Sequence, residues 1–570
     1  MNIKSIFSCL IVMSTIFIGA QNKKKPNIII VLADDISARE FPMYNSDTWS
    51  PESGGDTQDK KFRAHTPVLN KLAKKGVYIK TAWASVVCSP SRAMLMTGRY
   101  AHLHKWYGNK TIGQYTDEDG NLGAYPLFAS SPLTIGHVAK KGGYATMWSG
   151  KSQMRNKNLQ KFGFDEGVFT PGESSIDEIG EYPYSNFMVK TKKVNGKKIT
   201  YNNDTGVPLD YYPSSSWYWK PHVMLMNHPD SDKQFEWWPN SKKSRKEYSI
   251  NTYGPDVELD FIFDFMDRKV KEDKPFFVYH TTHLGHGAMN YLDPTRPELK
   301  WIPTPKITWK NGKYVKGKVN ITGANGVYDT HNSLSPTGIH AHVNYLDYQM
   351  WLYLKKLKEL KIDKNTLVIF CADNGSSKYG KNSPDIQKGT HVPFMIYGPG
   401  LGFVKTGEQD VLMNFSDILP TIADVAGVEI PEEYEINGES MMPVLTTNQV
   451  THREWIYGYK GRMQLIRGTK VLKDGTDKWY DVRKTPSDLI SYPEIKDWSS
   501  ADKELKKEKK TLDEVLPKFD AYDKSPNGPL SAKHEQKIKD KNAKIAAAKK
   551  KKQEAKNKNK KKNKKNKTEQ

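Results

Sequence analysis

Two short, unbroken apolar runs organise this chain. The first, Asn27-Ile-Ile-Ile-Val-Leu-Ala33, ends in Asp34-Asp35, and the second, Thr366-Leu-Val-Ile-Phe-Cys-Ala372, ends in Asp373-Asn374-Gly375. Runs of this length without alternation predict central parallel strands buried on both faces. Before the second run, Val343, Leu346, Met350, Leu354 and Leu357 recur at helical spacing. They predict a helix from about 342 to 360 that feeds the strand as an α/β crossover. Pro275-Phe-Phe-Val-Tyr-His280 and Val392-Pro-Phe-Met-Ile-Tyr397 supply further strands. Open parallel sheets bind ligands beyond the carboxyl ends of their strands, which is where Asp34, Asp35, Asp373 and Asn374 fall.

Elsewhere the pattern changes. From about 170 to 249 it weakens into a polar, aromatic-rich insertion with Tyr211-Tyr212, Trp217-Tyr218-Trp219 and Trp237-Trp238. Such rings could stack on sugars or simply pack their own loop. Trp455 to Asp481 reads as a small antiparallel sheet. The expected architecture is α/β: a large domain over 21–435 with a mostly parallel central sheet flanked by helices, then a smaller C-terminal subdomain over 436–530. Residues 531–570 are low-complexity lysine and asparagine, for which no fold is predicted. Met1 to Ala20 carries one lysine, an apolar run from Ile6 to Ile18 and a small-residue end. It reads as a cleaved secretory signal, so a periplasmic or secreted protein is expected; the apolar run is short for a membrane anchor.

Composition adds little until it is divided. Of the formal net charge of +23, the last forty residues carry +13 (17 lysines, four acids), leaving +10 elsewhere. A moderately basic body suits a polyanionic substrate. The tail lacks interleaved aromatics, so it implies at most salt-sensitive, sequence-blind attraction and no specific nucleic-acid partner. Beyond the signal only Cys88 and Cys371 remain, and in an exported chain two cysteines can form a disulfide.

Cys88 carries the chemistry. In Cys88-Ser-Pro-Ser-Arg-Ala-Met-Leu-Met-Thr-Gly-Arg99 a thiol stands just ahead of a predicted helix, with Ser89 as cap, Pro90 at its first position and Gly98 at its end. Helix N–H groups and Arg92 would bind an oxyanion beside the thiol. Three carboxylates and an amide at two strand ends form a set suited to Ca2+ or Mg2+.

Cys88-x-Pro90-Ser91-Arg92 followed by Thr97-Gly98-Arg99 resembles the signature of the formylglycine-dependent sulfatases, of the alkaline-phosphatase superfamily. The resemblance runs from about residue 25 to 485 and includes Asp417-Ile-Leu-Pro-Thr421 with Gly438-Glu-Ser440. It implies that a maturase oxidises Cys88 to formylglycine, whose hydrate attacks sulfur, and that one Ca2+ is held by Asp34, Asp35, Asp373 and Asn374 with residue 88. It further implies Asp373 as activator of the attacking hydroxyl, with Arg92 and Lys151 as sulfate-binding cations. Lys151 lies in Gly142-Gly-Tyr-Ala-Thr…Gly150-Lys151, which is similar to a family element. Two residues later the family has a histidine, and this chain has Gln153, which cannot take a proton near neutral pH. His104 or His283 could stand in for it. For the leaving oxygen the resemblance favours His286 as general acid, with His283 in reserve, although Gly285 replaces the family's proline. Lys381 and Lys388 compete for a further sulfate-binding position, and His331, His340 and His342 could line the pocket.

The expected function is hydrolysis of sulfate esters on a sulfated polysaccharide or its oligosaccharides. A phosphonate or phosphodiester hydrolase with the same signature, and a non-catalytic glycan-binding protein on the same fold, are the alternatives.

Overall fold

The structure, a computed structural model, describes residues 24–520 apart from 53, 110–113, 117–121, 125, 155–158, 170–188, 203–205, 207–222, 248–251, 288–303 and 318–337. The signal segment, the lysine-rich tail, Tyr211-Tyr212, Trp217-Tyr218-Trp219 and His331 lie outside the described residues.

The central sheet has eleven strands: β1 (Asn27–Ala33), β2 (Val77–Trp83), β3 (Ala145–Gly150), β4 (Glu166–Phe169), β5 (Val223–Met226), β6 (Phe235–Trp238), β7 (Phe276–Thr281), β8 (Thr366–Ala372), β9 (His391–Val392), β10 (Phe394–Tyr397) and β11 (Gly407–Asn414). Their order is β6-β5-β4-β3-β7-β1-β8-β10-β2-β9, with β11 also paired to β2. From β4 through β8 every pairing is parallel, and β11 runs parallel to β2. The continuous apolar runs are explained directly. On β1, Ile28, Ile30 and Leu32 enter one core layer while Ile29, Val31 and Ala33 enter the other, all fully buried. On β8 the alternation is the same, so neither strand has a face to spare for polar residues.

The predicted crossover helix is Ile339–Glu359, packed through Val343, Leu346, Met350 and Leu357. A second sheet of four antiparallel strands follows: β12 (Ile456–Lys460), β13 (Met463–Arg467), β14 (Val471–Lys473) and β15 (Trp479–Asp481). It is tied to the central sheet by Asn414, whose amide donates to Trp83 O and Tyr457 O and whose carbonyl accepts from Tyr100 and Tyr457 N. Asp417 makes the second tie, accepting from Arg453 at 2.5–2.9 Å and from His452 at 3.0 Å.

The structure bears on three points that the sequence left open. Part of the aromatic-rich insertion is sheet: β5 and β6 extend the central sheet beyond β4. Trp238 is buried there with its ring edge-on to Phe261, which leaves it no face for a sugar, and Trp237 is half-buried against the core. Cys88 and Cys371 are both buried free thiols, and no disulfide joins them.

Candidate active site

Four adjacent parallel strands deliver the site. Ala33 and Ala372 are register partners, so Asp34 and Asp373 leave the sheet side by side. Thr281 pairs with Gly150, which sets Lys151 at the end of β3 and His283 just beyond β7. Gly150 has φ +102°, and a Cβ there would lie 2.2 Å from Thr281 O; only glycine permits the turn that brings Lys151 inward.

Cys88 comes from the other side. The helix Cys88–Thr97 begins at Cys88 itself, capped by no side chain, and closes on Gly98 in the left-handed region. Ser89 therefore does not cap it. Nor is its first turn rich in free N–H groups: Ser89 N donates to Asn109 Oδ1, Pro90 has none and Ser91 N reaches back to Val87 O. Anion binding here falls to side chains. Burial pushes the Cys88 thiol well up, and the surrounding carboxylates add to that while Lys151 opposes it. An unmodified Cys88 thus stays a protonated, weakly nucleophilic thiol.

Around Cys88 the carboxylates of Asp34, Asp35 and Asp373 converge, with one ligand atom of each and the Cys88 sulfur all within 4.8 Å of one another. Cys88 Sγ donates to Asp35 Oδ1 at 3.6 Å. Three cations face three carboxylates: Lys151 Nζ is 2.6 Å from Asp34, Arg92 Nη2 2.8 Å from Asp373, and Lys381 Nζ 2.5 Å from Asp35. Burial alone would strip the Lys151 proton, but Asp34 holds its ammonium above the usual range. Burial would likewise raise Asp34, yet Lys151, His286 and Arg92 hold it well below. Asp373 goes the other way, raised to about 7 by burial and by the charge of Asp34. Lys388 is not at the site; its ammonium lies over the Tyr379 ring, 5.9 Å from the centroid.

The donor set fits a hard divalent cation. Asp34 Oδ1 and Asn374 Oδ1 are buried oxygens with no hydrogen-bond donor, and the Asn374 amide is turned by its Nδ2 donating to Asp35 Oδ1 at 2.8 Å. Two orphaned acceptors beside further carboxylate oxygens are what oxygen-ligated Ca2+ or Mg2+ requires. With such an ion the three-against-three charge balance becomes net positive, which favours an anionic ester.

His283 is fully buried and His286 half-buried, its Nε2 3.8 Å from Asp35 Oδ2. Burial lowers both imidazoles, His286 to about 4. Gln153 is half-buried, with φ 48°. Since Cys88, Arg92 and the four acidic and amide groups are fully buried, the more accessible His286, Lys381 and Gln153 mark the open side. His104 is engaged elsewhere, its Nε2 2.8 Å from Tyr459 Oη and its Nδ1 accepting from Trp106 N.

A family model described as Sulfatase matches residues 26–428. The chain belongs to the sulfatase family. Among curated proteins it is 23% identical over 466 residues to an ulvan-active sulfatase of Formosa agariphila (80% of this chain, 66% of that one). It is 22% identical over 532 residues to an N-acetylgalactosamine-6-O-sulfatase of Bacteroides thetaiotaomicron (84% and 86%). An arylsulfatase of Hemicentrotus pulcherrimus is 21% identical over 458 residues (78% and 66%). The chain thus spans just under two-thirds of the length of some of these relatives. In fold it is similar to Ps i-CgsB, with TM-score 0.55, 18% identity, and 88% and 94% of the two chains covered.

Against that family pattern, the glycine at 285 has a physical reason. Gly285 has φ +108°, a Cβ would sit 2.0 Å from Asp34 O, and its N–H donates to His342 Nδ1 at 3.0 Å. A proline could meet none of these conditions. His342, expected as a pocket residue, is instead fully buried and braces this turn; His340 is buried edge-on to Phe62. Sequence reasoning missed Ser377, whose hydroxyl donates to Asp35 Oδ2 at 2.9 Å. It also missed Glu40, which accepts from Ser376 and Ser50 beneath the Asp35 turn. Single polar residues in loops carry no periodic signal that would have revealed them.

Proposed function

We propose that this sulfatase-family chain hydrolyses sulfate esters of a sulfated polysaccharide or its oligosaccharides. The observation that carries the reading is the convergence of three enclosed cations on Cys88 and a buried, partly unsatisfied oxygen-ligand set. Arg92, Lys151 and Lys381 bind the sulfate oxygens and stabilise charge that grows during S–O cleavage. Asp34, Asp35, Asp373 and Asn374, with residue 88, hold one Ca2+, which when bound supplies Lewis-acid polarisation of a sulfate oxygen. Cys88 is converted by a maturase to formylglycine, which supplies a geminal diol where a buried thiol would be inert. Asp373 takes the proton of the attacking hydroxyl. His286, on the open side, gives a proton to the departing sugar oxygen, with His283 behind it. Gln153 orients substrate by hydrogen bonding where the family has a histidine.

The carbohydrate assignment draws on relatives named for ulvan and N-acetylgalactosamine-6-O-sulfate. Export to the periplasm or medium rests on the Met1–Ala20 pattern; among the described residues no helix is long and apolar enough to cross a membrane. Side-by-side rates on sulfate and phosphate or phosphonate esters, with protein made by its own host, test the proposal. Sulfate release should exceed phosphate release. Faster phosphate-ester turnover would favour the phosphodiesterase reading, and no turnover of either would favour a binding protein.

A further inference from the structure

Away from the catalytic centre, a cavity of about 190 Å³ lies at the seam between the β2–β11 edge of the central sheet and the C-terminal sheet. Lys80, Thr81, His452, Arg467, Thr469 and Arg483 are among its walls. Arg467 decides its character. The residue is 5% exposed, its Nη1 donates to Gln387 Oε1 at 2.5 Å and to Tyr492 Oη at 3.2 Å, and its Nε is buried without any hydrogen-bond partner. Among the described residues it makes no ion pair, only neutral contacts and the face of the Tyr492 ring. An enclosed guanidinium without a carboxylate is costly, and the cost falls when an anion shares its space.

The neighbouring acids do not supply that anion. Asp410 pairs with Lys80 at 2.9 Å, and Asp417 is taken by Arg453. Asp481 and Asp502 both pair with Arg483, and Glu504 pairs with Lys470. Glu508 is held by the backbone N–H groups of Thr469, Lys470 and Val471 and by the Thr469 hydroxyl. None of these acids pairs with Arg467.

A second chamber of about 390 Å³ adjoins it, and Thr451, His452, Arg453 and Thr469 line both. That chamber adds the half-buried Trp455 ring with Lys470 and Lys507. The first chamber thus has in its wall a guanidinium with no ion-pair partner, among hydroxyls, and the next an indole set among Lys470, Lys507 and the carboxylates of Glu454, Glu504 and Glu508.

We propose that this two-chamber groove is a second, non-catalytic site for an anionic glycan. A sulfate or carboxylate on one sugar would bind at Arg467, and the ring bearing it would lie towards Trp455. Oxyanion binding there stands on its own; its assignment to a glycan rests on the proposed function. The groove would retain polymer at the enzyme while another sugar of the same chain occupies the catalytic centre.

Calorimetric titration of the full chain carrying Cys88→Ala tests this, with sodium sulfate and glucose 6-sulfate as probes. Two binding events are expected for each probe, and in the groove the sulfated sugar should bind several-fold tighter than sulfate. Arg467→Gln should weaken the groove event roughly ten-fold or more. Lys80→Glu, at the rim, should weaken it about three-fold or more and replaces no buried group. A single event that both variants leave unchanged would overturn the site. Equal affinity for sulfate and sugar sulfate would overturn the glycan assignment and leave a free-oxyanion site. Because the readout is binding, absence of ester hydrolysis at Cys88 would refute the proposed function without touching this result.

Discussion

Replacing Lys151 with alanine probes the catalytic electrostatics most sharply. Lys151 is 1% exposed and lies 2.6 Å from Asp34 Oδ2, while the next cation, Arg92 Nη2, is 3.8 Å from Asp34 Oδ1. Its removal leaves a fully buried carboxylate with only a distant partner, a loss of about 3–5 kcal/mol. For a folded body of about 500 residues, with an unfolding entropy of about 1 kcal/mol/K, that corresponds to a fall in Tm of roughly 3–5 °C at neutral pH. The pH dependence has a definite sign. Asp34 has a depressed pKa in the folded protein, so its stabilisation is complete above the unfolded value and is lost as pH falls through the folded one. Without Lys151 that depression shrinks, so the gap between wild type and variant should be full at neutral pH and narrow only below about pH 4. In kcat the same substitution should cost about 10²–10³-fold, the loss of one fixed charge at the transition state. Added Ca2+ should restore part of the Tm and none of the kcat. Scanning calorimetry at two pH values and single-turnover rates check both parts. A variant within about 1 kcal/mol of wild type, with unchanged kcat, would refute the reasoning.

Three further predictions concern separate parts of the molecule. Chelation should lower Tm and abolish turnover, and Ca2+ at about 100 times its Kd should return roughly 2.7 kcal/mol, read by thermal unfolding against metal concentration. If His286 donates the proton, its protonated form is active, and burial lowers its pKa to about 4. The kcat/KM profile should therefore fall as pH rises through about 4, and His286→Ala should flatten that limb. Arg453→Leu should strand Asp417, whose carboxyl Arg453 and His452 hold low against burial, and cost about 3–5 kcal/mol. That deficit, measured by denaturant titration, should be full at neutral pH and diminish below about pH 4.

Much of this was legible in the sequence for identifiable reasons. β1 and β8 have core on both faces, so their apolar runs are unbroken and the first polar residues after them fall at the sheet's rim. The crossover helix was legible because four of its five spaced apolar residues are fully enclosed. Which of Lys381 and Lys388 stands beside Asp35 was not, because a turn decides it. Gly375 and Gly380 both press against the carbonyl of Lys388, where a Cβ would sit 2.2 and 2.0 Å away. That contact fixes the Lys388 backbone under the loop, whose Lys381 N–H bonds to Ser376 O. The start of the Cys88 helix was misread by two residues because a side-chain cap at Ser89 was assumed, whereas Asn109, distant in sequence, accepts from the Ser89 N–H. Likewise, no local pattern announced that Trp237 and Trp238 would close the sheet's far edge, since that depends on pairing with Val223–Met226.

The central claim is that residue 88 is the nucleophile after oxidation of its thiol. It is tested most directly by mass spectrometry of the tryptic peptide Thr81–Arg92 from protein made in its own host. The account predicts an aldehyde at position 88 in place of the thiol. An intact Cys88 thiol in that protein would contradict it and leave the fold as a scaffold for binding sulfated glycans.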